Sequence, residues 1–438
     1  MGFFALLLKY LSISQALLCA LLAIIHNLYI FPLYGRKKIE KEFEKEKRYS
    51  AIVSYPVVVF LIILFSDFVI SSNLRMAMAI ASASWAILAF GDSSAGFFGK
   101  VIGGPKLKWN NEKTFAGFIS FIIFSFFSSY LFFNYIAFDS FSNFNLNLLI
   151  LSAISAIVCA VTESIKGQFD DNISFPFVAF SIFSFYPFFD IYKKNIFLFQ
   201  LKENFNFKIF LILIFLNFLF AFTSYLKKWV DKNGFIFGLI LGFSVIFSLG
   251  FKGYLILILF FIVANFSTFY GKKIKEIKRI EEANKGKRGL ESVFSKGIAP
   301  FVFSFLSFEA FALTLCFYAA DTVATEFGKT SKGNTFSLLE IVKVPAGKRG
   351  GVSFKGTFFG ILTIVIFTFL SVFNYKLLVF PAKFYVLTTL LIILFFFIES
   401  IVNEIDDRLG VTNKVIIHIV LGFLLGAFCN SLFYNCVI

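Results

Sequence analysis

The sequence predicts an all-α polytopic membrane protein, made of two tandem related helical units with about 12–14 membrane segments in total. Of its 438 residues, 58% are hydrophobic, and its mean hydropathy is +0.84, whereas soluble domains are only about 45–50% apolar. Apolar runs of about 20 residues recur along the whole chain, and each is long enough to cross a bilayer as a helix. A soluble protein would have to bury most of these runs as core helices, and this alternative is disfavoured.

The apolar runs locate the individual membrane segments. The first run is interpreted as a membrane segment and not as a signal peptide, because it has no small-residue cleavage site. Residues 297–328 are expected to add a tight hairpin of two short segments that turns near Ser307–Glu309. The other expected spans are 9–30, 50–70, 74–98, 114–135, 147–166, 172–188, 207–226, 234–250, 252–270, 355–374, 378–402 and 412–433.

Basic residues give the chain a formal net charge of +15. In a soluble protein this charge would indicate a nucleic-acid partner. In a membrane protein it indicates cytoplasmic loops and anionic partners, so no nucleic acid is expected. The loop with Lys193, Lys194 and Lys202 is expected on the outer side, which is a mild departure from the positive-inside rule. By the positive-inside rule, the basic clusters expected in the cytoplasm are 35–48, 99–113, 227–232, 271–288 and 343–349.

Four segments of the first half recur in the same order, and at nearly constant separation, in the second half. One accidental match is easy in a chain with 70 phenylalanines, but four matches in order predict two related units, at 1–200 and 201–438. The pairs are LYGRKKIEKEFEKEKR (33–48) with FYGKKIKEIKRIEE (269–282), DSSAGFFGK (92–100) with DTVATEFGK (321–329), KTFAGF (113–118) with VSFKGTF (352–358), and ESIKGQFDDN (163–172) with ESIVNEIDDR (399–408).

Carboxylates stand at the ends of spans in both units, beside lysines and glycines. Such carboxylates are costly near a membrane unless they are paired, hydrated or bound to a cation. Clustered oxygen ligands suit Mg²⁺, and glycines let backbone amides approach an anion. Together these residue types are what phosphoryl transfer requires. From the spacing alone, solvated loop charges that anchor the spans are the favoured interpretation over phosphate chemistry, and neither unit has the P-loop pattern.

Two other interpretations follow from the repeat and from the histidines. Many transporters are built from internal repeats and bind their substrates between them, so a transporter is the main structural alternative. His26 and His418 are the only histidines. Their separation does not follow the repeat, so they are interpreted as packing or helix–helix contacts.

The motifs of the first unit resemble those of the polyprenol kinase family, which includes dolichol kinase and phytol kinase. That family has a Gly-Asp-x-x-Ala-x-x-x-Gly stretch, a Lys-Ser/Thr-x-x-Gly stretch and a later Glu…Asp-Asn-x-x-x-Pro stretch. A looser resemblance extends to CDP-diacylglycerol synthases. The matching residues are Gly91, Asp92, Ala95 and Gly99, then Lys113, Thr114 and Gly117, then Glu163, Asp171, Asn172 and Pro176.

The motifs of the second unit resemble a different membrane family, the one that contains the plant phytyl-phosphate kinase. Two positions depart from that family's pattern: Thr325 stands where serine is usual, and Glu399 stands where aspartate is usual. The matching residues are Ala320, Asp321, Thr322, Ala324, Glu326 and Gly328, then Pro345, Gly347, Gly350, Gly351, Val352, Ser353 and Gly356.

These resemblances imply a bifunctional isoprenoid salvage enzyme. Residues 1–200 would phosphorylate a prenyl alcohol of the phytol, geranylgeraniol or farnesol type, and residues 201–438 would phosphorylate the resulting monophosphate to the diphosphate. The implied co-substrate is CTP, with ATP as the alternative, and the implied metal is Mg²⁺. Two alternatives are a membrane cytidylyltransferase of the CDP-diacylglycerol synthase type and a transporter.

The resemblances and the repeat together assign roles to individual residues. Metal ligands are expected at Asp92, Asp171, Asp321 and Asp407. Catalytic roles are expected for Asp92, Lys113, Glu163, Asp171, Asp321, Glu326, Glu399 and Asp407. Nucleotide or phosphate binding is expected at Gly91, Gly99, Lys100, Thr114, Gly117, Asn172, Lys348, Arg349, Gly350, Gly351 and Ser353.

Overall fold

The chain divides into two compact units, Met1–Pro187 (unit 1) and Phe188–Ile438 (unit 2). Within the described residues, nine helices are long and apolar enough to span a bilayer, and two further apolar helices are shorter. The predicted class, an all-α polytopic membrane protein, is therefore confirmed. The computed structural model describes residues 2–34, 45–70, 73–138, 144–165, 171–188, 207–278, 280, 290–331, 335–373, 382–409 and 414–437.

Unit 1 is a helical bundle with one short antiparallel hairpin, in which β1 (Lys106–Leu107) pairs with β2 (Asn110–Thr114). A 3₁₀ helix, Gly2–Lys9, precedes the bundle. The first α-helix continues through a π-helical turn, His26–Ile30, into Phe31–Tyr34. The α-helices are α1 (Ile13–Ile25), α2 (Lys45–Val69), α3 (Leu74–Ala86), α4 (Asp92–Val101), α5 (Phe115–Phe138), α6 (Leu146–Ser164) and α7 (Asp171–Phe183).

Small residues make α3 the central helix of unit 1. Alanines and serines occupy most of the helix, and every residue from Ala77 to Ser84 is buried. Small side chains let helix backbones approach closely in a membrane. The helix accordingly contacts α2, α5, α7 and the 3₁₀ helix.

Asp92 lies inside a continuous helical stretch, as the predicted span 74–98 indicated, although it was also interpreted as a carboxylate near the end of that span. α3 passes through a π-helical turn, Ile87–Gly91, directly into α4. The whole stretch Leu74–Val101 is a single candidate span. No proline interrupts this stretch, and the first left-handed glycines after it, within the described residues, are Gly103 and Gly104. Single π-turns inside helices are frequent at functional sites.

Unit 2 combines a larger helical bundle with a small antiparallel sheet of strand order β4-β3-β5. The strands are β3 (Thr335–Phe336), β4 (Lys343–Val344) and β5 (Val352–Ser353). The helices are α8 (Phe207–Leu226), α9 (Lys232–Phe269), α10 (Lys272–Ile277), α11 (Leu290–Ser304), α12 (Phe308–Lys329), α13 (Phe354–Phe373), α14 (Ala382–Leu409) and α15 (Lys414–Val437).

α12 is the central helix of unit 2, and it is buried along nearly its whole length. It packs against α9, α11, α13, α14 and α15, as expected for a helix that is apolar on most of its circumference. α11 ends at Ser304 and α12 begins at Phe308, with Ser307 accepting a hydrogen bond from the Ala310 amide at 3.3 Å. This turn agrees with the hairpin expected from the sequence.

α9 contains two of the predicted spans in one helical run. Gly250 has φ 64° and ψ −151°, so it breaks the helix into two halves. Glycine adopts such positive φ values without the steric cost that other residues bear. The break agrees with the sequence, which predicted separate spans at 234–250 and 252–270.

Candidate functional site

A buried polar cluster lies where α12, α14 and α15 of unit 2 meet. Asp321, Glu399 and His418 are all buried, and one ligand atom of each lies within 4.8 Å of the other two. His418 Nε2 is 3.4 Å from Asp321 Oδ2 and 3.2 Å from Glu399 Oε1. Two buried carboxylates are unfavourable without a cationic partner or a bound cation. We call these three side chains the carboxylate–histidine cluster.

Neighbouring side chains hold both carboxylates in place. Lys296 of α11 donates hydrogen bonds to Asp321 Oδ2 at 2.6 Å and to Thr322 Oγ1 at 2.7 Å. Asn403, one helical turn after Glu399 on α14, donates to Glu399 Oε1. Hydrogen bonds from these side chains therefore fix the orientation of both carboxylates.

α15 approaches α12 closely at His418. The Tyr318 hydroxyl donates to the carbonyl oxygen of His418 at 2.7 Å. A Cβ atom at Gly422 would lie only 1.9 Å from the same hydroxyl oxygen. Glycine at this position therefore leaves the space that Tyr318 needs to fix the backbone of His418 beside the carboxylates.

A cavity of about 210 Å³ opens beside Asp321 and Glu399. The loop between β4 and α13 forms another part of its wall. The structure thus brings two predicted catalytic carboxylates and the predicted phosphate-binding loop of unit 2 to one cavity. The predicted loop residues that line it are Lys348, Arg349, Gly350, Gly351 and Ser353.

Arg349 connects this loop to α14 through an ion pair and a hydrogen bond. Its guanidinium forms an ion pair with Asp406, whose side chain is buried, and its Nε donates to Asn403 Oδ1 at 3.3 Å. Asn403 also donates to Glu399. The loop and the Glu399 carboxylate are therefore linked through one asparagine.

Gly350→Ala is expected to destabilise the packing of the loop on α14. Gly350 has φ +73°, and an added Cβ would lie 2.6 Å from the Glu404 amide nitrogen and 2.7 Å from the Ser400 carbonyl oxygen. These contacts are with helix backbone, which cannot move aside, and the backbone strain alone costs about 1–3 kcal/mol. The measurement is the thermal unfolding midpoint of the purified protein in detergent. Gly238→Ala is the control, because its Cβ meets no atom within 4 Å; equal midpoints for the two variants would contradict the prediction.

Glu326 lies in a separate buried ion network. Its carboxylate is 2.5 Å from Lys275 Nζ and 2.6 Å from Lys329 Nζ. Lys275 is also buried and donates to the carbonyl oxygens of Ser267 and Thr268. Lys329 lines the polar cavity but Glu326 does not. The predicted catalytic Glu326 therefore has the contacts of a structural residue.

Asp407 lies apart from the carboxylate–histidine cluster. It is exposed on α14, eight residues after Glu399, which corresponds to about 12 Å along the helix axis. It is not among the residues that line the polar cavity. Its predicted role as a metal ligand stays a prediction, but the structure does not bring it to Asp321.

In unit 1, the structure brings together two residues predicted to be catalytic, Lys113 and Glu163. They form an ion pair in which Glu163 is buried. The hairpin before α5 is fastened to the same end of α6, because Trp109 Nε1 donates to Ser164 Oγ at 3.0 Å and Asn110 Nδ2 donates to the Ser164 carbonyl at 3.1 Å.

The other predicted residues of unit 1 are placed as follows. Asp92 is half-buried and opens α4, and Lys100 is exposed near its end. Gly91 is buried, and an added Cβ there would lie 2.2 Å from Ser125 Oγ. The side chains of Asp171 and Asn172 lie outside the described part of the chain.

A serine or threonine makes the same turn at the start of α5 and of α13. Thr114 Oγ1 accepts from the Gly117 amide at 3.2 Å, and Ser353 Oγ accepts from the Gly356 amide at 3.1 Å. Each residue belongs to the predicted motif of its unit, and each satisfies one of the unpaired amides of a helix N-terminus.

The two glycines in these turns also make the same close approach. A Cβ at Gly117 would lie 2.9 Å from the Ala95 carbonyl oxygen, and a Cβ at Gly356 would lie 2.5 Å from the Ala324 carbonyl oxygen. In each unit the motif glycine therefore lets one helix pack directly on the backbone of the helix that carries the motif aspartate.

Comparison with known proteins assigns the chain to a family. The Integral membrane protein DUF92 family matches residues 215–433, half of the chain. The chain belongs to this family. The match lies within unit 2 and includes the carboxylate–histidine cluster and the loop beside it. The resemblance of the first half to polyprenol kinases stays a prediction.

Three curated proteins are similar to part of the chain. An uncharacterized membrane protein of Synechocystis is 33% identical over 145 residues. The chloroplastic protein VTE6 of Arabidopsis thaliana is 27% identical over 146 residues, and an uncharacterized membrane protein of Methanocaldococcus jannaschii is 27% identical over 143 residues. Each match covers 30–31% of this chain. It covers 56% of the Synechocystis protein, 44% of VTE6 and 59% of the Methanocaldococcus protein, so the chain spans about half the length of the curated relatives it matches. No solved structure matches the chain.

Sequence reasoning missed His418 and Lys296 as residues of the site. His418 was interpreted as a packing residue, yet its ring lies between two carboxylates. The available signal was an ionisable side chain within an apolar span, which by default marks a functional position. Lys296 lies outside every repeated segment, so no motif pointed to it.

Proposed function

We propose that unit 2 transfers a phosphoryl group from a nucleoside triphosphate to a membrane-embedded prenyl phosphate, which gives the diphosphate. The observation that carries this proposal is one cavity shared by two buried carboxylates and a basic, glycine-rich loop. Phosphoryl transfer needs positioning and charge neutralisation more than it needs covalent chemistry by the protein. The motif resemblance to the family of the plant phytyl-phosphate kinase supplies the substrate class.

The loop would hold the phosphates of the nucleotide. Lys348 lines the cavity and is exposed, so its ammonium is accessible to an anion. Gly347 and Gly350 have positive φ values of 91° and 73°, and such backbone turns point amide groups toward a bound anion. Arg349 adds positive charge, although part of it is neutralised by Asp406.

The carboxylates would hold the cation that accompanies the nucleotide. Asp321 and Glu399 offer the oxygen ligands that Mg²⁺ prefers, with phosphate oxygens and water completing its shell. The bound ion would neutralise developing charge on the transferred phosphoryl group. His418 is a less usual ligand for Mg²⁺, because imidazole suits transition metals better.

We propose that unit 1 carries out the preceding step, phosphorylation of the prenyl alcohol, with CTP as the donor and ATP as the alternative. The Lys113–Glu163 ion pair, the motif resemblance and the matching glycine contacts of the two units support this assignment and the internal repeat. A tandem arrangement would keep the lipid monophosphate near the second site at high effective concentration.

The motif segments of both units are proposed to face the cytoplasm, on the basis of their basic clusters. Single cysteines in place of Lys108 and Lys348, both exposed, would report this orientation. A membrane-impermeant thiol reagent applied to spheroplasts should modify neither residue until the membrane is opened. Modification of one site but not the other in intact spheroplasts would contradict a parallel arrangement of the units.

The proposed function is tested with the purified chain, labelled CTP or ATP, and a panel of prenyl alcohols and prenyl monophosphates. We expect conversion of the alcohol to monophosphate and then to diphosphate, with release of a nucleoside diphosphate. Release of pyrophosphate with a lipid-linked CMP product would indicate a cytidylyltransferase. Flux of substrate across vesicles without nucleotide turnover would indicate a transporter.

A further inference from the structure

A second cavity in unit 2, of about 80 Å³, is lined mainly by apolar side chains of α8, α9 and α11. Lys296 is the charged residue among those that line it. Tyr254 lines it too, and its hydroxyl is buried without a hydrogen-bond partner within the described residues. A buried hydroxyl is costly without a partner. A lysine side chain and an unpartnered hydroxyl that line the same apolar cavity point to a ligand with an anionic oxygen there.

The Lys296 side chain connects this cavity to the carboxylate–histidine cluster. Lys296 lines the apolar cavity, and its Nζ lies 2.6 Å from Asp321 Oδ2. Asp321 lines the polar cavity that holds the predicted phosphate loop. Lys296, which lines one cavity, is therefore ion-paired with Asp321, which lines the other.

Two of the three separations in the cluster match those of a divalent-cation site, and the third is below 4.8 Å. Ligands bound at about 2.1 Å from one metal ion lie about 3.0–3.4 Å from each other. The distances from His418 Nε2 to Asp321 Oδ2 and Glu399 Oε1 are 3.4 Å and 3.2 Å. One imidazole nitrogen and two carboxylate oxygens suit Mn²⁺ or Zn²⁺.

Lys296 and a metal ion would compete for the same oxygen. The ammonium already neutralises Asp321 Oδ2, and a divalent cation bound there would repel it strongly at this separation. The cation can therefore bind tightly only after Lys296 has moved to another anion. The apolar cavity, which Lys296 also lines, is where that anion would be.

We propose that Lys296 couples two ligands of unit 2. A lipid phosphomonoester in the apolar cavity draws the ammonium away from Asp321 and accepts a hydrogen bond from Tyr254. A divalent cation then binds Asp321, Glu399 and His418 from the polar cavity. This inference rests on the prenyl phosphate proposed above as the acceptor of unit 2. It adds that the lipid binds before the cation and that His418 is a ligand of the cation.

The apolar surroundings favour a lipid over a free phosphate ion. The cavity is small, so it would hold only the part of the chain next to the phosphate, and the remainder would lie along the bilayer. The helices beside the cavity, α8 and α9, have exposed apolar residues that such a chain could contact, including Phe215, Leu219, Phe251 and Leu255. A phosphate dianion forms stronger charge-assisted bonds to an ammonium than a neutral alcohol does.

The coupling must be reciprocal. If the lipid phosphate raises the affinity for the cation by some factor, the cation raises the affinity for the lipid phosphate by the same factor, and such couplings are typically about 5- to 150-fold. The test is Mn²⁺ binding to the full chain in detergent, followed by the electron paramagnetic resonance signal of free Mn²⁺. Farnesyl phosphate, farnesol and inorganic phosphate are compared as added ligands.

We expect farnesyl phosphate to tighten Mn²⁺ binding within that range, and neither farnesol nor inorganic phosphate to do so. Lys296→Gln should bind Mn²⁺ tightly without any lipid and should no longer respond to farnesyl phosphate. Lys272→Gln removes a surface charge on α10 and should behave as the unchanged protein. His418→Asn should weaken Mn²⁺ binding with or without lipid.

A second variant keeps the test valid if Lys296→Gln does not fold. Gly238 lines the apolar cavity and has no atom within 4 Å of an added Cβ, so Gly238→Leu should fill the cavity. This variant should retain the basal Mn²⁺ affinity and lose the response to farnesyl phosphate. An unchanged response in Gly238→Leu, an equal response to inorganic phosphate, or unaltered Mn²⁺ affinity in His418→Asn would overturn the proposal. Because no nucleotide or turnover is needed, these results are independent of whether the chain is a kinase.

Discussion

Asp321→Asn is expected to stop the reaction sequence at the prenyl monophosphate, which should accumulate. The substitution keeps the size of the side chain but removes the negative charge that pairs with Lys296 and faces the polar cavity. Loss of one preorganised charged group at a reacting centre typically lowers the rate on the order of a hundredfold or more. The measurement is the conversion of added prenyl monophosphate to diphosphate by the purified variant.

Two matched variants decide whether the activities are separable. Asp92→Asn should block use of the alcohol yet leave added monophosphate convertible to diphosphate. Glu276→Gln, at an exposed position of α10, should leave both steps intact. If either aspartate change abolished both steps in folded protein, the two units would form one composite site, and the assignment of one kinase to each unit would be wrong.

The membrane class and many of the helices could be predicted because they depend on local sequence. Length and hydropathy indicate where a span lies. Local residues mark its boundaries: Gly250 breaks α9, and Ser307 caps the start of α12. Hydropathy predicted a span through Asp92 at 74–98, but it did not show the π-helical turn before Asp92. The helix continues there because nothing in Leu74–Val101 prevents helical geometry.

The site was only partly predictable, because its contacts join helices that are distant in sequence. The motif carboxylates could be recognised, but whether each faces a cavity or another ion depends on packing. Asp321 faces the polar cavity, whereas Glu326 on the same helix faces Lys275. Lys275 itself belongs to the basic cluster 271–288, which was expected in the cytoplasm, yet its side chain is buried.

The two units neutralise a site carboxylate in different ways. In unit 1 the lysine of the Lys-Thr motif, Lys113, pairs with Glu163. In unit 2 the corresponding position is Val352, and Lys296 from α11 pairs with Asp321 instead. Lys296 lies on α11 and also lines the apolar cavity, so the cation of unit 2 touches a second cavity as well as the carboxylate.

Lys275→Met is expected to lower the stability of unit 2 by about 3 kcal/mol, because removing one partner of a buried ion pair leaves an uncompensated charge. Lys275 and Glu326 are both almost fully buried, and their side chains are 2.5 Å apart. The substitution would also leave the carbonyl oxygens of Ser267 and Thr268 without their lysine donor. The measurement is the unfolding free energy of the purified chain in mixed detergent micelles.

The double variant Lys275→Met with Glu326→Gln should recover part of this loss, because the remaining buried group is then neutral. Lys272→Gln breaks an exposed ion pair on the same helix and should change the stability by less than about 1 kcal/mol. Glu326→Gln alone should destabilise the protein because Lys275 loses its partner. If Glu326→Gln instead kept full stability but lost the conversion of monophosphate to diphosphate, Glu326 would have the catalytic role that the motif indicates, and the structural interpretation of its ion pairs would be wrong.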